Sequence, residues 1–150
     1  MRILLDTNIL TRIAERTHYQ HQLANEAVKL LTIRGETLCL VPQNFYEFWV
    51  VATRPIVDNG LGLTPEITLS HLNDLKPVGE VLQESTALYD TWEKIVVQYG
   101  VQGKSAHDAR LVAAMMVHTI EAILTFNKNH FTRYTGITLL TPAEIVAIRT

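Results

Sequence analysis

Short continuous apolar runs alternate along this chain with longer stretches in which apolar residues recur every three or four positions. That switching predicts its elements. The chain opens on the run Ile3 to Leu5, stopped at once by Asp6-Thr7-Asn8. A run so short and continuous suits a strand buried on both faces of a parallel sheet and leading straight into a helix. Helices are expected over Ile9 to Arg16 and over Gln20 to Ile33, where Leu23, Ala27, Leu30 and Leu31 keep helical spacing before Gly35 ends the segment. Leu38 to Val41 reads as a second strand, cut by Pro42.

Phe45, Phe48, Trp49 and Ala52 follow the i, i+3, i+4, i+7 order, which predicts a helix from Asn44 to Thr53 with one apolar face turned to the core. Arg54-Pro55 closes it. Two glycines between Asp58 and Leu63 mark a loop, after which Thr64-Pro65 supplies an N-cap and a first-turn proline for a helix reaching Leu75. Beyond the breaks at Pro77 and Gly79 come a short strand at Val81-Leu82 and a helix over Thr86 to Tyr99. A further helix over Ser105 to Thr119 should turn Ala106, Ala109, Val112, Ala113 and Met116 inward. Ala122 to Phe126 and Thr138 to Leu140 read as strands, and Glu144 to Ile148 as a closing helix. This alternation predicts an α/β fold, a parallel sheet between helices, in one domain over residues 1–150.

Composition narrows the class. A chain of 150 residues, 47% of them hydrophobic, can build a continuous core without disulfides or structural metal. The formal charge of -2 excludes a strongly basic nucleic-acid coat protein, though not a local basic patch. Cys39 is the single cysteine, which rules out an internal disulfide, a four-cysteine zinc site and a redox pair. No apolar run approaches the roughly 20 residues needed to span a bilayer, and Asp6 interrupts the start where a secretory apolar region would have to continue. The expectation is a soluble protein of the reducing cytoplasm, with no membrane partner.

In an open parallel sheet, ligands collect beyond the carboxyl ends of the strands. Asp6 falls there directly. Glu47 is expected in the first turn of the helix after the second strand, Asp108 in the first turn of the Ser105 helix, and Thr125 and Asn127 at the exit of the Ala122 strand. Each has a plainer reading: Asp6, Thr7 and Asn8 are good helix caps, and Asn44 with Glu47, or Ser105 with Asp108, resembles a capping box. If the three acids converge within ~5 Å, their repulsion at an effective dielectric near 20 is several kcal/mol, which capping does not require. A divalent cation resolves that conflict. Mg²⁺ or Mn²⁺ takes oxygen ligands, keeps several waters and makes a bound water more acidic, so phosphodiester hydrolysis follows.

The segments Leu4-Leu5-Asp6-Thr7-Asn8-Ile9-Leu10, Asn44-Phe45-Tyr46-Glu47-Phe48, His107-Asp108-Ala109-Arg110-Leu111-Val112-Ala113-Ala114 and Leu124-Thr125-Phe126-Asn127 occur in the order seen in PIN-domain nucleases. Taken together they resemble that family over essentially the whole chain, and within it the VapC-type ribonuclease toxins of type II toxin-antitoxin modules. The resemblance implies a PIN-like three-layer α/β/α sandwich with a mostly parallel central sheet. It implies that Asp6, Glu47 and Asp108 are metal-binding carboxylates, that Asn8 orients a carboxylate or a metal-bound water, and that the products carry a 5′-phosphate. A cognate antitoxin and a homodimer are the partners it implies beside an RNA substrate. The chain departs from the family where acids commonly follow the strand-ending Thr and precede the next Phe: Asn127 and His130 stand in the stretch Thr125-Phe126-Asn127-Lys128-Asn129-His130-Phe131. Asn127 offers a neutral carbonyl oxygen and His130 prefers softer metals, which weakens the case for a second ion.

Lys104, before the Ser105 helix, and Arg110, two positions after Asp108, are candidates for phosphate contact, with Arg12, Arg16 and Arg54 behind them; ordinary solvated charge is the alternative. His18 and His21 lie three apart without any accompanying HExxH motif or cysteine pair, and read as packing or surface residues. His107, next to Asp108, is a candidate substrate contact. The aromatic face of Phe45, Phe48 and Trp49 reads as core, or in part as a seat for an antitoxin helix or a dimer contact. Two other functions stay open. In a haloacid-dehalogenase-like phosphatase Asp6 would accept a phosphoryl group, but that family wants an acid where Asn8 stands. In a non-catalytic PIN-like module the site would bind RNA or protein without turnover.

Overall fold

Five strands, each two to four residues long, form the middle layer of the computed structural model, which describes residues 1–148. They are β1 (Arg2–Leu5), β2 (Thr37–Leu40), β3 (Glu80–Val81), β4 (Ala122–Leu124) and β5 (Thr138–Leu140). All pair in parallel, in the order β3-β2-β1-β4-β5. Among the described residues seven α-helices flank the sheet: α1 (Thr7–Ala14), α2 (His21–Ile33), α3 (Pro42–Thr53), α4 (Pro65–Leu75), α5 (Leu88–Gln98), α6 (Ser105–Val117) and, after the last strand, α7 (Pro142–Ala147).

The two-residue side-chain period of a strand divides the core in two. Ile3, Leu5, Leu38, Leu40 and Leu124 pack against α1 to α4 and α7, chiefly on Ile9, Leu10, Leu31, Phe48 and Ile145. Leu4, Cys39 and Ile123 face the other way, onto Ile95 of α5, Leu111 and Met115 of α6, and Phe131. The result is the expected three-layer α/β/α sandwich, its sheet parallel throughout. Among the described residues no helix is long and apolar enough to cross a membrane.

Two departures from the expected elements move side chains that matter. Pro42 opens α3 instead of cutting the chain, because a proline at the first helical position lacks only an amide that would have had no partner. Asn44 is then the third residue of α3; its Oδ1 accepts from the Val41 amide at 2.9 Å and its Nδ2 donates to the Leu5 carbonyl at 2.9 Å. It forms no capping box with Glu47, which sits in the second turn. Ser105 is likewise inside α6, whose N-cap is Lys104, and no side chain caps that end. Trp49 and Met116 are corrections too: both were expected inward, yet they are 36% and 59% exposed. Phe48 and Ala52 fill the α3 contact with the core, and the buried face of α6 runs from Ala109 through Met115, so each outlier falls on the solvent side.

The order of the strands positions the site. From central β1 the chain moves outward to β2 and β3, then returns past β1 to β4 and β5, so the connections diverge between β1 and β4. Crevices form at such a switch point, beyond the carboxyl ends of the strands. The register pairs Leu5 with Leu124, which sets the next residues, Asp6 and Thr125, side by side at that edge.

Candidate functional site

Asp6 ends β1 and caps α1, with its backbone amide donating to the Leu124 carbonyl at 2.9 Å. Its carboxylate is only slightly exposed. Oδ1 accepts from the Thr7 amide at 2.7 Å and Oδ2 from the Thr125 hydroxyl at 2.7 Å. Capping therefore accounts for one oxygen of Asp6 but not for its burial or its neighbours. Removal from water raises its pKa to about 7, a rise that the Thr125 hydrogen bond opposes and the charges of Asp108 and Glu47 reinforce.

The two other acids come from different helices. Glu47 reaches across from α3, where Oε1 accepts from the Thr7 hydroxyl at 2.7 Å and Oε2 from Gln43 Nε2 at 3.3 Å. Asp108 stands in the first turn of α6, its Oδ2 3.6 Å from His130 Nδ1. Burial also raises the Asp108 pKa, against the pull of His130 and with the push of Glu47. The capping explanation fails for Glu47, which holds no helix amide. Repulsion among three carboxylates is what remains.

Thr125 is fully buried and is the hub of the supporting contacts. While donating to Asp6 it accepts from the Asn127 amide at 2.9 Å and lies 3.5 Å from Asn8 Nδ2. Asn8 Oδ1 in turn accepts from the Phe126 amide at 3.4 Å. Thr125→Val should therefore strip Asp6 of its one side-chain donor and raise its pKa further. A carboxyl-selective NMR titration of Asp6 in that variant should move its midpoint above that of the parent; an unchanged midpoint would separate the hydroxyl from the acid.

Asp6, Asn8, Glu47, Asp108, Asn127 and His130 all border one cleft of about 370 Å³, whose walls also include Arg12 and Arg54. Those two arginines, ranked low in the sequence, are the cationic side chains present. Arg12 is bound to Glu15 at 3.0 Å and Arg54 to the Asn59 carbonyl at 3.1 Å. Gly60 closes that wall because a Cβ there would lie 2.0 Å from the Arg54 carbonyl oxygen. Lys104 is exposed and borders no part of the cleft, while Arg110 turns into a neighbouring one and pairs with Glu84 at 2.6 Å. His107 faces the same neighbouring cleft. His18 and His21 spend a ring nitrogen each on the Gln20 amide and the Arg12 carbonyl.

Gln43 is the site residue that sequence reasoning passed over. It is buried, and its Nε2 bridges Glu47 and the His107 carbonyl, the latter at 2.7 Å, so it ties the acid-bearing turns of α3 and α6 together. Its position four residues before Glu47, on the same helix face, was the available signal.

All-oxygen donors of this kind suit a hard divalent cation, whose charge would offset the burial and the neighbouring acids that raise the pKa of Asp6. Among the described residues, no three His, Cys, Asp or Glu side chains stand together as a ready-made cage. Asp6 and Glu47 are each held by two donors, so closing the set falls chiefly to rotation of Asp108, whose contact is to His130. The chemistry of the donors fits such an ion.

The solved structures that resemble this chain are built alike. A VapBC2 complex of Rickettsia felis, crystallised on a DNA fragment from its promoter, is 16% identical with a TM-score of 0.70, covering 94% of this chain and 98% of that one. DNA-bound VapBC of Salmonella typhimurium is 20% identical with a TM-score of 0.69, covering 95% and 98%. VapC20 of Mycobacterium tuberculosis, a Sarcin-Ricin loop cleaving toxin, is 16% identical with a TM-score of 0.65, covering 87% and 93%. Identities so low establish a shared fold. No curated protein matches the chain. The family model of the PIN domain matches residues 3–137, nearly the whole length and every element from β1 through β4, and the chain belongs to the PIN domain family.

Proposed function

We propose that this protein is a Mg²⁺- or Mn²⁺-dependent endoribonuclease and the toxin of a type II toxin-antitoxin pair. One observation carries the reading: Asp6, buried and short of compensating charge, shares its cleft with Glu47 and Asp108 at the switch point of the sheet. Family membership and the likeness to a Sarcin-Ricin loop cleaving toxin and to VapBC complexes support it.

Asp6 and Asp108 would hold the ion, with Glu47 direct or through water. Bound there, it would lower the pKa of a water and neutralise charge on the scissile phosphate. Thr125 keeps the Asp6 carboxylate in place through its 2.7 Å hydrogen bond. Asn8 and Asn127 present uncharged oxygens on the same rim, and Gln43 fixes the height of Glu47 against α6. Arg12 and Arg54 on the cleft wall would meet the RNA backbone.

Single-stranded RNA incubated with the purified protein should be cut in Mn²⁺, leave 5′-phosphate ends and survive in EDTA. Asp108→Asn should slow cutting by about two orders of magnitude or more, as expected when a charged metal ligand is lost. Undiminished cutting in EDTA and in Asp108→Asn would reject the site. Asn127 and His130 favour the second reading, a module that binds without turnover, since His130 already stands against Asp108; Mn²⁺ binding with no cleavage of any RNA would select it.

A further inference from the structure

We propose that the second cleft, on the far side of the first turn of α6, reads a guanine base of the RNA; this rests on RNA being the substrate. The cleft measures about 530 Å³, within the range of small-molecule sites, and is bordered by Glu84, Tyr89, Trp92, Ala106, His107 and Arg110.

Its aromatic floor is fixed. Trp92 Nε1 donates to the Ala106 carbonyl at 2.8 Å, pinning the indole of α5 to α6, and Tyr89 lies beside it with ring centroids 5.8 Å apart. The Tyr89 hydroxyl is spent on Glu93 at 2.9 Å, so what Tyr89 offers a ligand is its ring, 63% exposed. Unpaired RNA bases stack on such surfaces and are read along their polar edges.

The polar edge is provided by one pair. Arg110 Nη2 donates to Glu84 Oε1 at 2.6 Å, a contact that occupies one of five guanidinium donors and leaves the second carboxylate oxygen of Glu84 open. An acceptor therefore stands directly beside a fork of donors. Guanine carries the complement: N1–H and the N2 amine donate on one edge, and O6 and N7 accept on the adjoining one. Adenine would set its N1 lone pair against Glu84, and each pyrimidine offers the carboxylate a single donor group.

The two clefts share a wall. His107 borders the guanine cleft and Asp108 the acid cleft, and these are successive residues whose Cα atoms stand about 3.8 Å apart. Gln43 bonds to the His107 carbonyl and to Glu47, so that wall is part of the acid site itself. A nucleotide next to the scissile phosphate reaches across it.

Trp49→Phe leaves Trp92 as the only tryptophan of the full chain. Its emission, titrated in EDTA with oligouridine hexamers carrying one central guanine, inosine or adenine, reports occupancy without cleavage. Guanine should bind about tenfold tighter than adenine, with inosine, which lacks the N2 amine, in between. Glu84→Gln should erase most of that preference, and Tyr89→Ala should weaken all three oligomers together. Equal affinities, no binding, or a guanine preference that survives Glu84→Gln overturns the proposal. Cleavage in Mn²⁺ without a guanine preference removes the subsite and leaves the nuclease; a guanine preference in EDTA with no cleavage in Mn²⁺ does the reverse.

Discussion

Replacing Asp6 with Asn should abolish cutting while making the metal-free protein more stable above neutral pH. The loss follows from removing the most deeply buried carboxylate of the three, held by the Thr7 amide and the Thr125 hydroxyl; a metal ligand of this kind is worth several kcal/mol of transition-state charge stabilisation, or about three orders of magnitude in rate. The gain follows from its burial. The unfolded chain releases the Asp6 proton at its ordinary value of 3.8, the folded one at about 7. Between those values the folded state retains a proton the unfolded state has lost, so stability falls by about 1.4 kcal/mol for each unit of rising pH and stays low above the folded value. Asn carries no such charge. It should recover on the order of 2 kcal/mol above neutrality, less than the full difference because its amide nitrogen meets the Thr7 amide or the Thr125 hydroxyl less well than oxygen does. Denaturation with urea at acid and alkaline pH measures the gain, which should vanish at acid pH where Asp6 is already neutral.

Most of the frame was legible in the chain because period and punctuation agreed. The runs at Ile3 to Leu5 and Ala122 to Phe126 are short and largely apolar, and both became inner strands, the second ending at Leu124, two residues before its expected end. Thr64 and Pro65 placed the start of α4 to the residue. Asp6 and Thr125 were readable as candidates for the site for the same reason: each is the first polar residue to interrupt a buried apolar run. Pro42 was misread because a proline is equally a stop and a first helical residue, and the choice depended on what preceded it in space. That misreading put Glu47 one turn too early and hid the roles of Asn44 and Gln43. The basic residues went astray on a different ground. Arg110 lies two positions from Asp108, but two positions along a helix is about 200° of rotation, enough to turn it into the other cleft; Arg12, in the helix that Asp6 caps, and Arg54, at the end of the helix that carries Glu47, come to the acids along their own elements.

A divalent ion should restore what burial of Asp6 takes away. Its ligands must be deprotonated, so binding competes with the proton on Asp6 and strengthens as the pH rises through about 7. At a hundredfold excess over its dissociation constant an ion stabilises the folded state by about 2.7 kcal/mol, which for a chain of this size is a melting shift of about 5–10 °C. Asp6→Asn should lose that shift along with its activity. The deciding measurement is the change in melting temperature on adding Mn²⁺, followed from about pH 5 to about pH 8 in the parent and in Asp6→Asn. A shift absent at the acid end, growing through neutrality and missing from the variant is the predicted result; no shift at any pH, or one of equal size in both proteins, would contradict a shared ion on Asp6, Glu47 and Asp108.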